Sequence, residues 1–139
     1  MTSEKVLRIW QLADVTRIPG LTKSIIWVEK GNNTAGLEHI LRHAPDFEKE
    51  GVVGGDKLME LAEAATKVGR QGEKGQGKGG GRPIFGLSFH GQPLAVAISV
   101  GSNGYVVGMN PSSLEKFLAQ NKLDEEALKE FHSWPAVTK

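Results

Sequence analysis

The chain has 139 residues, 39% hydrophobic and 24% charged, with a formal net charge of +1. These are the proportions of one ordinary globular domain with a usable core, and the bulk charge announces no nucleic-acid binder. The absence of cysteine excludes a disulfide framework, a thiolate zinc site and a Cys nucleophile.

No apolar run approaches the roughly 18 residues of a membrane span. The start, Met1-Thr2-Ser3-Glu4-Lys5, is not followed by the apolar stretch of a signal peptide. Charge is uneven along the chain. Acids are dense in 46–63 and 115–130, whereas 69–82 holds Arg70, Lys74, Lys78 and Arg82 against Glu73 alone.

Residues 1–33 form an N-terminal segment. Within it, 6–18 mixes apolar and polar residues without a clean period, Pro19-Gly20 turns the chain, and Ser24-Ile25-Ile26-Trp27-Val28 has the composition of a short strand. Residues 34–68 are expected to be helical. Thr34 is the expected N-cap of a first helix with Leu37 as its first buried position, and Pro45 limits that helix to barely ten residues. Asp56 is the expected cap of a second helix, in which Leu58, Leu61, Ala62, Ala65 and Val68 follow amphipathic spacing up to Gly69 as a C′ residue.

The Gly/Lys-rich stretch 69–82 has the composition of a flexible loop. Residues 83–110 carry the alternation of a β-meander. Phe85, Leu87 and Phe89 form one row, Leu94, Val96, Ile98 and Val100 the next, and Asn103-Gly104 the turn before a third strand. Residues 111–139 form a tail with two short helices, around 114–120 and from Asp124 to Phe131. The expected class is α+β: one domain with N-terminal helices packed on a contiguous antiparallel sheet and short C-terminal helices.

The chemistry concentrates in Gly36-Leu37-Glu38-His39-Ile40-Leu41-Arg42-His43. On one continuous helix, His39 and His43 lie one turn apart on the same face with Arg42 beside them. Leu37, Ile40, Leu41 and Ala44 then fall on the opposite side. The spacing also fits two zinc ligands, but the metalloprotease pattern needs Glu directly after the first His, and Ile40 stands there. A third ligand would have to come from His90, His132 or a distant carboxylate. The plain alternative is a polar helix face with no role.

Acid/base chemistry at a phosphodiester uses the same residues differently. Histidine titrates near neutrality, so one imidazole can take a proton from a ribose 2′-OH while a second protonated group serves the leaving 5′-oxygen. An arginine offsets charge on the phosphorane.

The basic loop suits phosphate contact through Lys78 or Arg82, but it is no Walker motif, and a solvated linker explains it equally well. Asn110-Pro111-Ser112-Ser113 places polar groups at a strand end, where turn and helix-cap roles compete with phosphate binding. His90 is expected to be exposed at a turn, and Trp10, Trp27 and Trp134 to lie in or near the core.

The segment 34–113, through the Gly36–His43 helix followed by a second helix, a Gly-rich gap and a meander, resembles bacterial toxin nucleases of the barnase/EndoU/colicin/RelE-like (BECR) group. These include toxin domains of contact-dependent growth inhibition proteins and nuclease domains attached to phage head proteins. The resemblance implies a metal-independent ribonuclease without cofactors, often acting on tRNA and neutralised by a cognate immunity protein. It implies a domain delivered by a larger bacterial toxin into the target-cell cytoplasm, a monomer without a membrane anchor.

The catalytic roles carry onto His39, Arg42 and His43. The substrate-binding roles carry onto Lys78, Arg82, Ser99 and Ser112, although no strand bears a central lysine, and Asn110 is a further substrate-binding candidate from its place at the strand end. Two further expectations stay open: a non-catalytic RNA-binding or protein-interaction module, and a metal-dependent hydrolase.

Overall fold

A computed structural model describes residues 6–18, 20–71, 83–90, 92–112, 114, 117 and 136–137. The fold is α+β. Strands β1 (Val6–Gln11) and β2 (Ile25–Glu29) form a two-stranded antiparallel sheet. Helices α1 (Leu37–Leu41), α2 (Ala44–Glu48) and α3 (Gly55–Val68) follow. A five-stranded sheet then runs in the order β3 (Arg70–Gln71), β4 (Ile84–Phe89), β5 (Gln92–Val100), β6 (Val106–Ser112), with β7 (Ala136–Val137) parallel to β4. Its three long strands are antiparallel neighbours. Among the described residues, no helix is long and apolar enough to cross a membrane.

The period-two rows explain the sheet directly. Phe85, Leu87, Phe89, Leu94, Val96 and Ile98 enter one core with Ile40, Phe47, Leu58, Leu61 and Ala65 of the helices. Ile84, Ala95 and Ala97 point the other way and pack with Phe117. β4 is therefore buried along its whole length. Gly86 makes the second contact possible, because a Cβ there would lie 2.5 Å from the Phe117 ring.

β1 is a strand that periodicity did not reveal, since Leu7 and Ile9 are apolar yet about half exposed while Trp10 is 5% exposed. Trp10 Nε1 donates to Thr66 Oγ1 at 2.9 Å, which ties the hairpin to α3. After a 3-10 turn at Val15–Arg17, Arg17 donates to the Thr66 carbonyl at 2.8 Å and to that of Gly69. These bonds satisfy carbonyls that a helix end leaves open.

Three expected boundaries shift for local reasons. Gly36, not Thr34, occupies the N-cap of α1, since Thr34 turns its N–H and hydroxyl to Asn32 Oδ1 at 2.9 and 2.7 Å. Gly54, not Asp56, precedes α3, and Asp56 sits in its first turn. Gly69 ends α3 in an extended conformation (φ −59°, ψ 147°) rather than the left-handed one. Glycine is required there because a Cβ would lie 2.6 Å from the Ala65 carbonyl oxygen and 2.9 Å from Phe85 Cβ.

The meander's third strand also runs on through Pro111 and Ser112, so these residues are in the ladder rather than in a turn. A proline is tolerated there because β6 lies at the end of the main strand order. Leu114 and Phe117 are helical. The rest of the expected C-terminal helices, residues 72–82 of the basic loop and Trp134 lie outside the described residues.

Glu63 holds Arg8 and Lys67 at 2.8 and 2.9 Å. Burial pushes its carboxyl up, but the hydrogen bonds from Lys67 and Arg8 outweigh this and hold it below the ordinary carboxylate value. A depressed folded-state value means that the stabilisation is complete above the unfolded-state pKa of about 4.3 and fades as pH falls through the lower folded value. For partly exposed pairs it amounts to about 1 kcal/mol or less. Chemical denaturation at pH 7 and pH 3 is expected to show a smaller pH-dependent loss for Glu63→Gln than for the parent chain.

Candidate active site

Pro45 decides the local geometry of the histidines. It has no N–H to continue α1 and fits instead at the start of a new helix, so the expected single helix is two. The His43 N–H donates to the Ile40 carbonyl at 2.9 Å, and the His43 carbonyl accepts from Asp46 and Phe47 at 3.0 and 3.2 Å. His43 therefore closes α1 and opens α2. Ile40 and Phe47, 0% and 1% exposed, anchor the two short helices, each by about 1.5–3 kcal/mol of apolar burial. Leu41, expected among the anchors, is instead 39% exposed.

The histidines remain neighbours across this break. Their ring centroids are 6.1 Å apart with planes at 80°. His39 Nδ1 lies 2.8 Å from the Asn33 carbonyl oxygen. A carbonyl only accepts, so Nδ1 carries the proton and Nε2 of the neutral ring presents a lone pair. Among the described residues, Nε2 has no hydrogen-bond partner.

Arg42 Nη1 donates to the same Asn33 carbonyl at 3.4 Å, so one backbone oxygen gathers the imidazole and the guanidinium. The loop that offers it is tightly built. Asn32 N–H donates to the Ala35 carbonyl at 2.8 Å, and Gly36 N–H to the Val107 carbonyl at 3.0 Å. Gly31 and Gly36 bracket it at φ 69° and 85°.

The floor of the site comes from β6. Pairing Val100 with Val106 and Ser99 with Gly108 leaves Val107 as the extra residue of a bulge. A Cβ at Gly108 would lie 2.9 Å from His39 Cδ2 and 3.2 Å from His39 Nε2. Gly108→Ala is therefore expected to push the imidazole aside. It should lower any His39-dependent rate by about 10²-fold, with circular dichroism and thermal midpoint close to those of the parent.

Strand alternation puts Ser99, Gly108, Asn110 and Ser112 on one face, opposite one another or opposite Ala97 and Ala95. Ser99 faces Gly108 directly. Asn110 is two residues on, roughly 7 Å along the strand, and Ser112 roughly 13 Å. Ser99 and Asn110 thus share the floor with His39. Ser112 instead lines a separate hollow of about 290 Å³ with Glu50, Pro93, Leu94, Ala95, Pro111 and Leu114. Lys78 and Arg82 lie outside the described residues.

His90 belongs elsewhere. Its strand neighbour Gln92 is seven residues from Ser99 on β5, roughly 23 Å along the strand, too far to join His39 and His43 on one ion. It pairs with Glu60, and its Nε2 lies 3.2 Å from Lys57 Nζ, partners invisible to a local reading. Among the described residues no group of three or more His, Asp or Glu is placed to hold a metal ion.

Three contributors were missed from the sequence: the Asn33 carbonyl, Gly108, and Tyr105, whose hydroxyl would lie 2.9 Å from a Cβ at Gly36. The glycines that bracket the loop were the available signal. Burial, then the Glu29 charge, pushes the Tyr105 hydroxyl's pKa up, so this group stays protonated and able to donate.

No family model matches the chain, and no curated protein matches it.

Proposed function

We propose that the chain is a toxin endoribonuclease that cuts RNA, tRNA foremost, by attack of a ribose 2′-OH on the adjacent phosphate, with no metal in the reaction. In this reading the helices pack on the contiguous meander within one domain closed by short C-terminal helices. The domain acts as a monomer in the target-cell cytoplasm after delivery by a larger bacterial toxin, and a cognate immunity protein blocks it. The observation that carries the reading is the contact of His39 Nδ1 with the Asn33 carbonyl oxygen. The ring's Nδ1–H is held by that carbonyl, and its Nε2 is left to accept a proton beside a second imidazole and a guanidinium.

His39 Nε2 takes the 2′-OH proton as the 2′-oxygen bonds to phosphorus. The P–O5′ bond breaks, and the imidazolium of His43 gives its proton to the departing 5′-oxygen. Arg42 offsets the negative charge on the phosphorane. The products are a 2′,3′-cyclic phosphate and a 5′-hydroxyl. Ser99 and Asn110 contact the phosphate or ribose from the floor. Lys78, Arg82 and Ser112 hold more distant phosphates.

The division of labour is testable with a 5′-bridging phosphorothiolate, whose sulfur leaves without protonation. His43→Ala is expected to slow the normal substrate about 10²–10⁴-fold and the thio substrate hardly at all. Equal losses on both would remove His43 from the acid role. RNA binding that weakens with salt, with no fragments released, would instead mark a binding module.

A further inference from the structure

Beside the Asn33 loop lies a second hollow, of about 400 Å³, lined by Glu29, Lys30, Gly31, Asn32, Glu38 and Tyr105. Its size falls in the range of small-ligand sites. Gly31 and Asn32 line it, while the next residue's carbonyl holds His39. Glu38 lines it too and is the residue before His39, so the hollow opens within a nucleotide's length of the imidazole.

Its polar groups are fixed unequally. Trp27, 4% exposed, donates its indole N–H to Glu29 Oε2 at 2.9 Å. That bond holds the carboxylate and leaves Oε1 as an acceptor. Tyr105 meets Trp27 edge to face, with ring centroids 5.9 Å apart and planes at 89°, and gives the hollow an aromatic wall. Lys30 and Glu38 pair loosely at its rim, 3.9 Å apart.

We propose that this hollow seats a nucleobase next to the scissile phosphate and selects bases bearing an exocyclic amino group over uracil, through Glu29 Oε1. The proposal rests on the ribonuclease reading above for the placing of the phosphate. A carboxylate only accepts hydrogen bonds. Adenine, cytosine and guanine each offer an amino N–H₂ to one free oxygen. Uracil flanks its single N–H with two carbonyls, whose lone pairs face the carboxylate unfavourably. Tyr105 supplies stacking that every base can use, so discrimination falls to Glu29.

Glu29→Gln gives a sharp test because its amide has one oxygen. The buried Trp27 N–H claims that oxygen, since a buried donor left unpaired is costly. The amide N–H₂ then faces the hollow and favours a carbonyl edge. Rates are measured on the dinucleoside monophosphates XpA and ApX, with X each of the four bases. In one of the two series the parent chain is expected to disfavour uridine about tenfold in kcat/KM, and Glu29→Gln to reverse the order. Parity for uridine in both series, or an order unchanged in Glu29→Gln, overturns the proposal.

A second arm does not need catalysis. The Trp27 indole N–H resonance is followed while AMP, CMP, GMP and UMP are added. A shift with the three amino bases but not with UMP supports the hollow even if no RNA is cut, in which case the ribonuclease reading alone falls. No shift with any of them overturns the hollow.

Discussion

His39→Ala is expected to lower RNA cleavage by about 10²–10⁴-fold, the usual worth of a positioned general base, while leaving the fold intact. The side chain is only partly buried, and among the described residues its one hydrogen bond joins an exposed loop carbonyl, so little stability depends on it. His39→Asn sharpens the test. Its amide N–H₂ can still donate to the Asn33 carbonyl, but nothing replaces Nε2. If His39→Asn is as inactive as His39→Ala and melts like the parent chain, the missing function is proton transfer at Nε2. Activity near the parent level in either variant would remove His39 from the reaction.

A large effect on stability is expected at Gly104. Its φ of 103° disfavours any side chain, and a Cβ there would lie 2.0 Å from the Ile25 carbonyl oxygen and 3.0 Å from Trp27 Cζ3. Its own carbonyl accepts from the Trp27 N–H at 3.0 Å. The two sheets meet at this point, through the parallel bridge between Trp27 and Tyr105. Strain and overpacking together put Gly104→Ala at about 3 kcal/mol of lost stability. Gly20 has φ 77° with nothing within 4 Å of a Cβ, so Gly20→Ala carries the strain alone, about 1 kcal/mol. Urea titrations are expected to separate the two by midpoint at constant m. Equal midpoints would mean that the close approach at Gly104 relaxes freely.

The contrast between these two glycines shows which parts of the molecule are legible in the chain. The meander rows are local facts: alternation of Phe85, Leu87 and Phe89 against Leu94, Val96 and Ile98 requires a buried face, and the Asn103-Gly104 pair requires a turn. The hairpin of β1 and β2 is not local. Leu7 and Ile9 stay half exposed, so β1 lacks the polar-out pattern, and Trp10 is placed by Thr66, 56 residues away.

The site divides in the same way. His39, Arg42 and His43 stand out by chemical type. Their arrangement depends on Pro45 beginning a second helix and on a carbonyl whose position is set by the Asn32 turn, neither of which side-chain spacing records. Gly108 has no chemistry at all, and its importance comes only from the imidazole packed against it.

The central claim is that this constellation cuts RNA by 2′-OH attack. Purified chain is incubated with total tRNA in excess EDTA, and the new ends are identified chemically. Fragments ending in 2′,3′-cyclic phosphate and starting with 5′-hydroxyl, absent with His39→Ala, are the expected result. Intact tRNA, or cleavage that stops in EDTA and leaves 5′-phosphates, would contradict it.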